Sequence, residues 1–322
     1  MSKINFSHTS VLLSECIEAL AIRDGMTYLD CTTGGGGHSI EIARRLGDGG
    51  RLICLDRDRD ALSAARVRLG DYTDRVSFVH TNFSDAGAVL RELGISNLGG
   101  VLMDLGCSSY QFDTPLRGFS YMHDAPLDMR MDQDGAPVDA TASLNAYRVV
   151  NEYSYEQLRR VIDEYGEERF AAKIASAIVR ERENRPILTT AELSALVTSA
   201  IPKKSRIEGP HPAKRTFQAI RIEVNGELDA IAPAIRDTVS ALVSGGKIAI
   251  ISFHSLEDRI VKSTYAELSS PCTCPRDFPV CVCGKKAVIR IDTRKPTLPS
   301  RAELDANPRS RSAKLRIATK LS

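Results

Sequence analysis

Four consecutive glycines, Gly34 to Gly37, separate an apolar strand-like run (Thr27-Tyr-Leu-Asp30) from an amphipathic stretch over residues 40–46. No other feature of the chain constrains its fold as tightly. Glycines at a strand-to-helix turn let the backbone approach a ligand closely and aim amide N–H groups at it. A second strand-like run, Arg51-Leu-Ile-Cys-Leu-Asp56, also ends in a carboxylate. An acidic residue at that second strand end is placed to take a ribose diol. Together the two runs predict a strand–turn–helix–strand unit that binds a nucleoside cofactor. The alternative is a turn that only lets a helix pack on a strand, and two strand-end carboxylates in register weigh against it.

The residues around the turn discriminate between cofactors. Counting from Gly34 and Gly36, the dinucleotide fingerprint G-x-G-x-x-G needs a third glycine where Ser39 stands. A triphosphate loop needs Lys and then Ser or Thr after the glycines, and His38-Ser39 occupies that place. Asp30 would repel a phosphate but suits a cationic amine or sulfonium neighbour. These residue types point to S-adenosyl-L-methionine, whose amino-acid end is zwitterionic and whose ribose would meet Asp56.

Composition sets the outer bounds. The chain has 322 residues, 43% hydrophobic and 26% charged, enough for one large domain with an insertion or for two domains. Apolar runs such as residues 248–253 are far too short to span a bilayer, so no membrane partner is expected. The N-terminal residues lack a basic-then-apolar leader, and Cys16, Cys31, Cys54 and Cys107 sit in core-like settings; both features suggest a reduced, cytoplasmic protein. Net charge is only +2, yet residues 276–322 hold twelve Lys/Arg against four Asp/Glu. A second basic cluster comprises Lys203, Lys204, Arg206, Lys214, Arg215 and Arg221. Such local surpluses fit a polyanion, or simply a solvated basic face.

Strand-like and helical runs alternate through the first hundred residues. Runs at 27–30, 51–56, 76–80 and 100–104 are separated by helical patterns at 60–69 and 84–93, which predicts an α/β fold with a doubly wound, mostly parallel sheet of the Rossmann-like kind. Ligands bind at the carboxyl ends of such strands, where Asp30, Asp56, Phe83 and Asp104 fall. Residues 113–132 show no clean period and are expected to form a structured loop. Helical patterns without strands follow, with capping-box spacings at Ser154/Gln157 and Thr189/Glu192. Residues 112–214 are therefore expected to form an inserted helical domain, within a sheet-based domain of residues 1–111 and 215–322. After it come one long helix over 216–243, a strand over 247–253, and two late strands at 287–291 and 312–319 that would complete an antiparallel edge.

The fourth strand end, Asp104-Leu-Gly-Cys-Ser-Ser-Tyr-Gln111, carries the candidate chemistry. An exocyclic amine on cytosine or adenine has its lone pair delocalised into the ring and is a poor nucleophile. Acceptors on its N–H groups favour a pyramidal nitrogen, and in-line positioning supplies the rest. Asp104 is the expected catalytic residue, with Ser108 and Ser109 assisting on the substrate side; capping the turn or holding the cofactor amine is the competing role for Asp104. His38 would meet the cofactor carboxylate or cap a helix. Phe83 would wall an adenine ring or fill the core. Arg215 and Phe217 would hold a phosphate and stack a base, or form an ordinary helix start. His254 would contact substrate or cap the helix it opens. Cys272-x-Cys274 and Cys281-x-Cys283 offer four thiols, but their spacing is tighter than the usual C-x₂₋₄-C of structural zinc, so they are taken as reduced cysteines and no metal is assigned.

These strings resemble a known family. His8-Thr-Ser-Val-Leu-Leu13, Gly36-Gly-His-Ser39, Leu55-Asp-Arg-Asp58 and Asp104-Leu-Gly-Cys-Ser-Ser-Tyr-Gln111 are similar to the bacterial 16S ribosomal RNA cytosine-N4 methyltransferases, the RsmH or MraW family. So are Arg117-Gly-Phe-Ser120, Leu127-Asp-Met-Arg-Met-Asp132, Gly166-Glu-Glu-Arg-Phe170, Arg215-Thr-Phe-Gln-Ala-Ile-Arg221, Ile251-Ser-Phe-His-Ser-Leu-Glu-Asp-Arg259 and Asn307-Pro-Arg-Ser-Arg-Ser312. The resemblance runs in order along nearly the whole chain. It implies methyl transfer from S-adenosylmethionine to N4 of a decoding-centre cytosine in 16S rRNA. The partner expected is 16S rRNA within the small ribosomal subunit, and the chain is expected to act as a monomer or homodimer. It also implies cofactor contacts at Gly36, Gly37, His38, Asp56, Phe83, Asp104 and Gln111. Adenine- and DNA-directed amino methyltransferases fit less well, because Asp104-Leu-Gly-Cys lacks their Pro-Pro-Tyr. A nicotinamide oxidoreductase and a noncatalytic RNA-assembly factor are the readings from other classes.

Overall fold

The computed structural model describes residues 10–132, 143–206, 211–274, 280 and 282–322, with the Ser109 side chain excepted. His8, Thr9 and Cys281, which the motifs above include, lie outside the described residues. Contacts divide the chain into two compact units, residues 1–106 with 228–322, and residues 107–227.

The first unit is built on a seven-stranded sheet of order β3-β2-β1-β4-β5-β7-β6. Its strands are β1 (Thr27–Asp30), β2 (Arg51–Asp56), β3 (Val76–His80), β4 (Leu98–Asp104), β5 (Leu242–Ser252), β6 (Ile289–Ile291) and β7 (Lys314–Lys320). Strands β1 to β5 pair in parallel, while β7 runs antiparallel to both β5 and β6. Side chains alternate between two cores, as the period of two dictates. Leu29, Ile53, Leu55, Val101, Met103, Ile248 and Ile250 join one core with Ile231, Ile235, Val261 and Tyr265. Tyr28, Leu52, Cys54, Leu102, Ala249 and Ile251 join the opposite core with Cys16, Ile42, Ala65 and Leu69. Covering both faces explains why the central strands read as continuous apolar runs. The α/β doubly wound, mostly parallel sheet expected from sequence is what forms.

The expected helix over 216–243 is instead two helices, Lys214–Asn225 and Glu227–Ala241. Gly226 breaks it: its left-handed backbone (φ 58°) caps the first helix, with its N–H donated to the Ile222 carbonyl. Residues 242–246, assigned to the helix end and a turn, open β5, where Leu242 pairs with Leu98.

The second unit is helical: Ser109–Asp113, Ala146–Glu152, Tyr155–Glu164, Ala171–Arg182, Thr190–Ala200 and Lys214–Asn225. Both sequence-read capping boxes form, Ser154 with Gln157 and Thr189 with Glu192. Helix Lys214–Asn225 supplies Phe217 and Ile220 to this unit's core, which is why the unit extends to Glu227 rather than ending near residue 214. The aperiodic stretch before residue 132 is fixed by polar ties. Asp128 and Arg130 form a buried ion pair at 2.7 Å, and Arg117 Nη2 donates to the carbonyls of Arg130 (3.1 Å) and Met131 (2.9 Å). Asn225 accepts from Met131 N–H and donates to the Met129 carbonyl. Such one-off pairings have no period for a sequence to display.

Candidate active site

The carboxyl ends of the parallel strands lie in register: Asp56 pairs with His80, Asp30 with Cys54 and Leu102, and Asp104 with Ile251. Parallel pairing therefore brings three aspartates to one sheet edge.

Asp56 organises the glycine turn. Its Oδ2 accepts from Gly34 N–H at 2.7 Å and its Oδ1 from Asp58 N–H at 2.8 Å. Each oxygen keeps a further lone pair for an incoming hydroxyl. Gly36 sits at φ 78°, where a Cβ would lie 2.8 Å from Leu69 Cδ1, so a side chain there meets both backbone strain and packing. Gly37 starts the helix Gly37–Ala43, whose first residues present N–H groups beside the turn.

Asp30 departs from expectation. It is fully buried, with Oδ2 accepting from Ser39 Oγ at 2.6 Å and Oδ1 from Thr32 N–H at 3.1 Å. Its oxygens face into the turn rather than toward a cationic ligand. The serine that spoils the dinucleotide fingerprint thus has a structural task. Thr32 adds a second tie, accepting from Asp104 N–H through Oγ1 at 2.6 Å. Neither Ser39 nor Thr32 was identified from sequence as shaping the site; a hydroxyl residue nine positions after a buried strand-end aspartate was the available signal.

Asp104 is differently placed. Its side chain is 25% exposed and Oδ2 lies 3.8 Å from His38 Nδ1, while Oδ1 is buried without a hydrogen-bond partner. His38 Nε2 lies 3.1 Å from the Val11 carbonyl, which can only accept, so Nε2 carries the proton and Nδ1 is a lone pair turned toward Asp104. Burial holds the imidazole neutral by pushing its pKa down to about 4. Burial, followed by the charges of Asp30 and Glu257, raises the Asp104 carboxyl well above the usual carboxylate range. Burial also pushes Asp30 and Asp56 up to about 6. No lysine or arginine pairs with any of these three aspartates among the described residues. Asp104 Oδ1 thus lacks a donor, Asp56 keeps free lone pairs, and no positive side chain stands beside either among the described residues.

Phe83 opens a single 3-10 turn after β3 and is half-buried against the first core. His254 is the N-cap of helix Ser255–Ser269: Nδ1 accepts from Glu257 N–H at 3.4 Å, and Nε2 is 3.1 Å from Glu257 Oε1. Glu257 in turn accepts from the N–H groups of Phe253 and His254. Its charge acts on Asp104 from the neighbouring strand end, a role that sequence reading did not assign.

In the helical unit, Ser108 and Gln111 form a capping box on Ser109–Asp113. The Gln111 amide oxygen accepts from Ser108 N–H and from the Cys107 thiol, both at 3.0 Å. The Ser109 side chain lies outside the described residues. Arg215 is exposed and donates to the Glu167 carbonyl at 2.7 Å. Phe217 departs from the expected base-stacking role: it is 3% exposed, lies in the helical core and meets Tyr121 edge-on at 5.7 Å. The face of its helix that carries Phe217 is the one that had to be buried. Tyr121 instead stacks on His211 at 4.6 Å, a pairing across unrelated sequence positions that no local pattern announces.

Comparison with known proteins identifies the family. A family model described as the MraW methylase family matches residues 5–321. A protein of Clostridioides difficile (strain 630) named ribosomal RNA small subunit methyltransferase H is 53% identical over 318 residues, covering 99% of this chain and 100% of that protein. A protein of the same name from Symbiobacterium thermophilum is 55% identical over 316 residues, with 98% and 97% coverage. Among solved structures, a putative methyltransferase from Streptococcus mutans in complex with SAH covers 98% of this chain and 100% of its own, at 10% identity and a TM-score of 0.45. With a family match reaching almost from end to end and relatives more than half identical over their full length, this chain belongs to the MraW methylase family.

Proposed function

We propose that the chain is an S-adenosylmethionine-dependent methyltransferase acting on the N4 amine of a decoding-centre cytosine in 16S rRNA, with the small ribosomal subunit as its setting. The observation that carries this reading is the acceptor row, above all the buried and unpartnered Asp104 Oδ1 beside a neutral imidazole lone pair. A cationic cofactor and an N–H-bearing acceptor base complete that row; a nicotinamide dinucleotide, with its anionic pyrophosphate, does not. The family relationship and the names of the full-length relatives support the ribosomal RNA substrate. The basic surplus near the C-terminus supports a polyanionic partner.

The residues present fit the cofactor. Gly36, Gly37 and the His38 backbone would hold its amino-acid end, Asp56 the ribose hydroxyls, Phe83 the adenine face, and Gln111 its remaining polar edge. When bound, S-adenosylmethionine supplies an electrophilic methyl group on a positively charged sulfur. The protein does the rest. Asp104 holds an N–H of the target amine, turning the nitrogen lone pair out of conjugation with the ring. As N4 gains the methyl, Asp104 takes up the proton that the nitrogen sheds. A carboxylate raised above its ordinary pKa is a stronger base for that step. His38, fixed by Val11, stays neutral and lends its lone pair to the same donor field. Ser108, Arg215 and His254 are proposed substrate contacts, and Ser109 is carried with them from the motif alone.

The experiment is methylation of naked 16S rRNA, isolated small subunits and whole ribosomes, read by nucleoside mass spectrometry. N4-methylcytidine at one position, formed only with S-adenosylmethionine present, is the expected product. Binding of NAD with no response to S-adenosylmethionine, or unchanged N4-methylcytidine in cells lacking the gene, overturns the reading.

A further inference from the structure

The cysteine pairs set aside in the sequence gain weight from the fold. The connection between helix Ser255–Ser269 and strand β6 is closed at its base by Val288 N–H donating to the Leu268 carbonyl at 2.8 Å. Within it, the sulfurs of Cys272, Cys274 and Cys283 all lie within 4.8 Å of one another. Burial does not gather them. Cys272, Val280 and Val282 are exposed, the two valines at 70% and 74%, and the described residues of the connection carry no helix or strand. Three thiols therefore converge on a surface segment with no core of its own.

We propose that Cys272, Cys274 and Cys283 are ligands of a structural zinc ion. Their geometry matches a single tetrahedral centre. With Zn–S bonds of about 2.3 Å, the edge between two sulfurs of a tetrahedron is about 3.8 Å. Cys283 Sγ lies 3.8 Å from Cys272 Sγ. That separation is nearly twice the roughly 2.05 Å of a disulfide. An iron–sulfur cluster spreads its thiolates over at least two irons, whereas this grouping suits one ion. Val282 N–H donates to Cys274 Sγ at 3.4 Å, a bond that favours thiolate over thiol. The one-residue Cys272-x-Cys274 spacing is tighter than the common zinc knuckle, but the third ligand comes from the other side of the connection, so the pair need not close the site alone. Clipping a long connection removes chain entropy that its exposed apolar residues cannot offset by burial.

The test uses the full-length chain purified without chelators or a polyhistidine tag. Elemental analysis should find about one zinc per chain, released when a mercurial reagent titrates the thiols. Cobalt(II) added to the stripped protein should give the charge-transfer and d–d bands of tetrahedral thiolate coordination, a readout that needs no variant. Cys272→Ser, Cys274→Ser and Cys283→Ser should each weaken zinc binding by at least about tenfold, while the sheet-based unit keeps its circular dichroism. Zinc-free wild-type protein without the cobalt bands overturns the proposal. So does zinc content unchanged in all three variants, or iron with labile sulfide in place of zinc.

Discussion

Asp56→Ala separates a cofactor ligand from a structural residue. In the folded chain the two Asp56 oxygens accept from Gly34 N–H and Asp58 N–H at 2.7 and 2.8 Å, so each has one direction left for a ribose hydroxyl. Two hydrogen bonds to a charged acceptor, at about 1.5 kcal/mol each, come to about 3 kcal/mol, or roughly 150-fold in affinity. At a cofactor concentration 100 times the wild-type Kd, binding stabilises the wild type by about 2.7 kcal/mol, whereas a 150-fold weaker variant gains only about 0.3 kcal/mol. At about 2–4 °C per kcal/mol, the ligand-induced rise in Tm should collapse from about 5–11 °C to about 1 °C. Differential scanning fluorimetry with and without S-adenosylmethionine reads the shift, and calorimetric titration gives Kd directly. Asp56→Asn, which keeps one acceptor, should fall between. A variant whose Tm still rises within 2 °C of the wild-type shift (a margin of about 0.5–1 kcal/mol) and whose Kd is nearly unchanged refutes the ribose assignment.

Further outcomes follow from the same site. Asp104→Ala should lower kcat about 10²- to 10⁴-fold without lowering Tm, since it deletes a half-buried carboxylate whose buried oxygen has no partner; full turnover in a single-turnover assay removes Asp104 from the chemistry. Asp30, pushed by burial up to about 6 from the ordinary aspartate value of about 3.9, favours the fold below pH 4 and loses that contribution as pH rises through 6. Asp30→Asn, which keeps an acceptor for Thr32 and a partner for Ser39, should therefore stabilise the cofactor-free protein by about 1–3 kcal/mol at pH 8 and by little at pH 4; a gain in urea denaturation that does not depend on pH contradicts this. Cofactor affinity should fall as pH drops through about 6, where Asp56 takes up a proton, and an affinity flat from pH 8 to 5 rules the carboxylate form out. Gly36→Ala should cost more stability than Gly34→Ala: both lie at positive φ, worth about 1–2 kcal/mol each, but only Gly36 also meets Leu69. Equal losses in denaturant titration would show that packing at Leu69 is not limiting.

What the sequence made legible was whatever has a period or a local rule. Strands β1, β2, β4 and the later half of β5 fall on apolar runs, because strands covered on both faces need them continuous, whereas β6 and β7 interleave apolar with basic residues. The capping boxes at Ser154 and Thr189 are local hydrogen-bond patterns and form as read. Gly226 falls inside the single helix that the pattern predicts over 216–243, yet its left-handed backbone ends one. Beside Lys214 and Arg215, Phe217 reads equally as a base-stacking ring or as part of an ordinary helix start, and its burial is decided by neighbours such as Tyr121, ninety-six positions away in sequence. Asp30 shows the same limit at closer range. Its position at a strand tip was legible, and the direction of its oxygens was not, because the Ser39 hydroxyl that turns them comes from the next helix. The three cysteines are a last case: spacing alone argues against a shared ion, whereas in the folded chain their sulfurs lie within 4.8 Å of one another.

The interruption of the sheet along the chain bears on how the protein is made. Strand β4 ends at Asp104 and its neighbour β5 begins only at Leu242, with the entire helical unit translated in between. During synthesis the four-stranded half-sheet emerges with the Leu98–Asp104 edge bare, an open template for stray strand addition. The helical unit, rich in near-neighbour contacts, can compact first and occupy that interval. A stop codon placed between residues 105 and 241 should therefore give an insoluble product even though the glycine turn and all three aspartates are already in place.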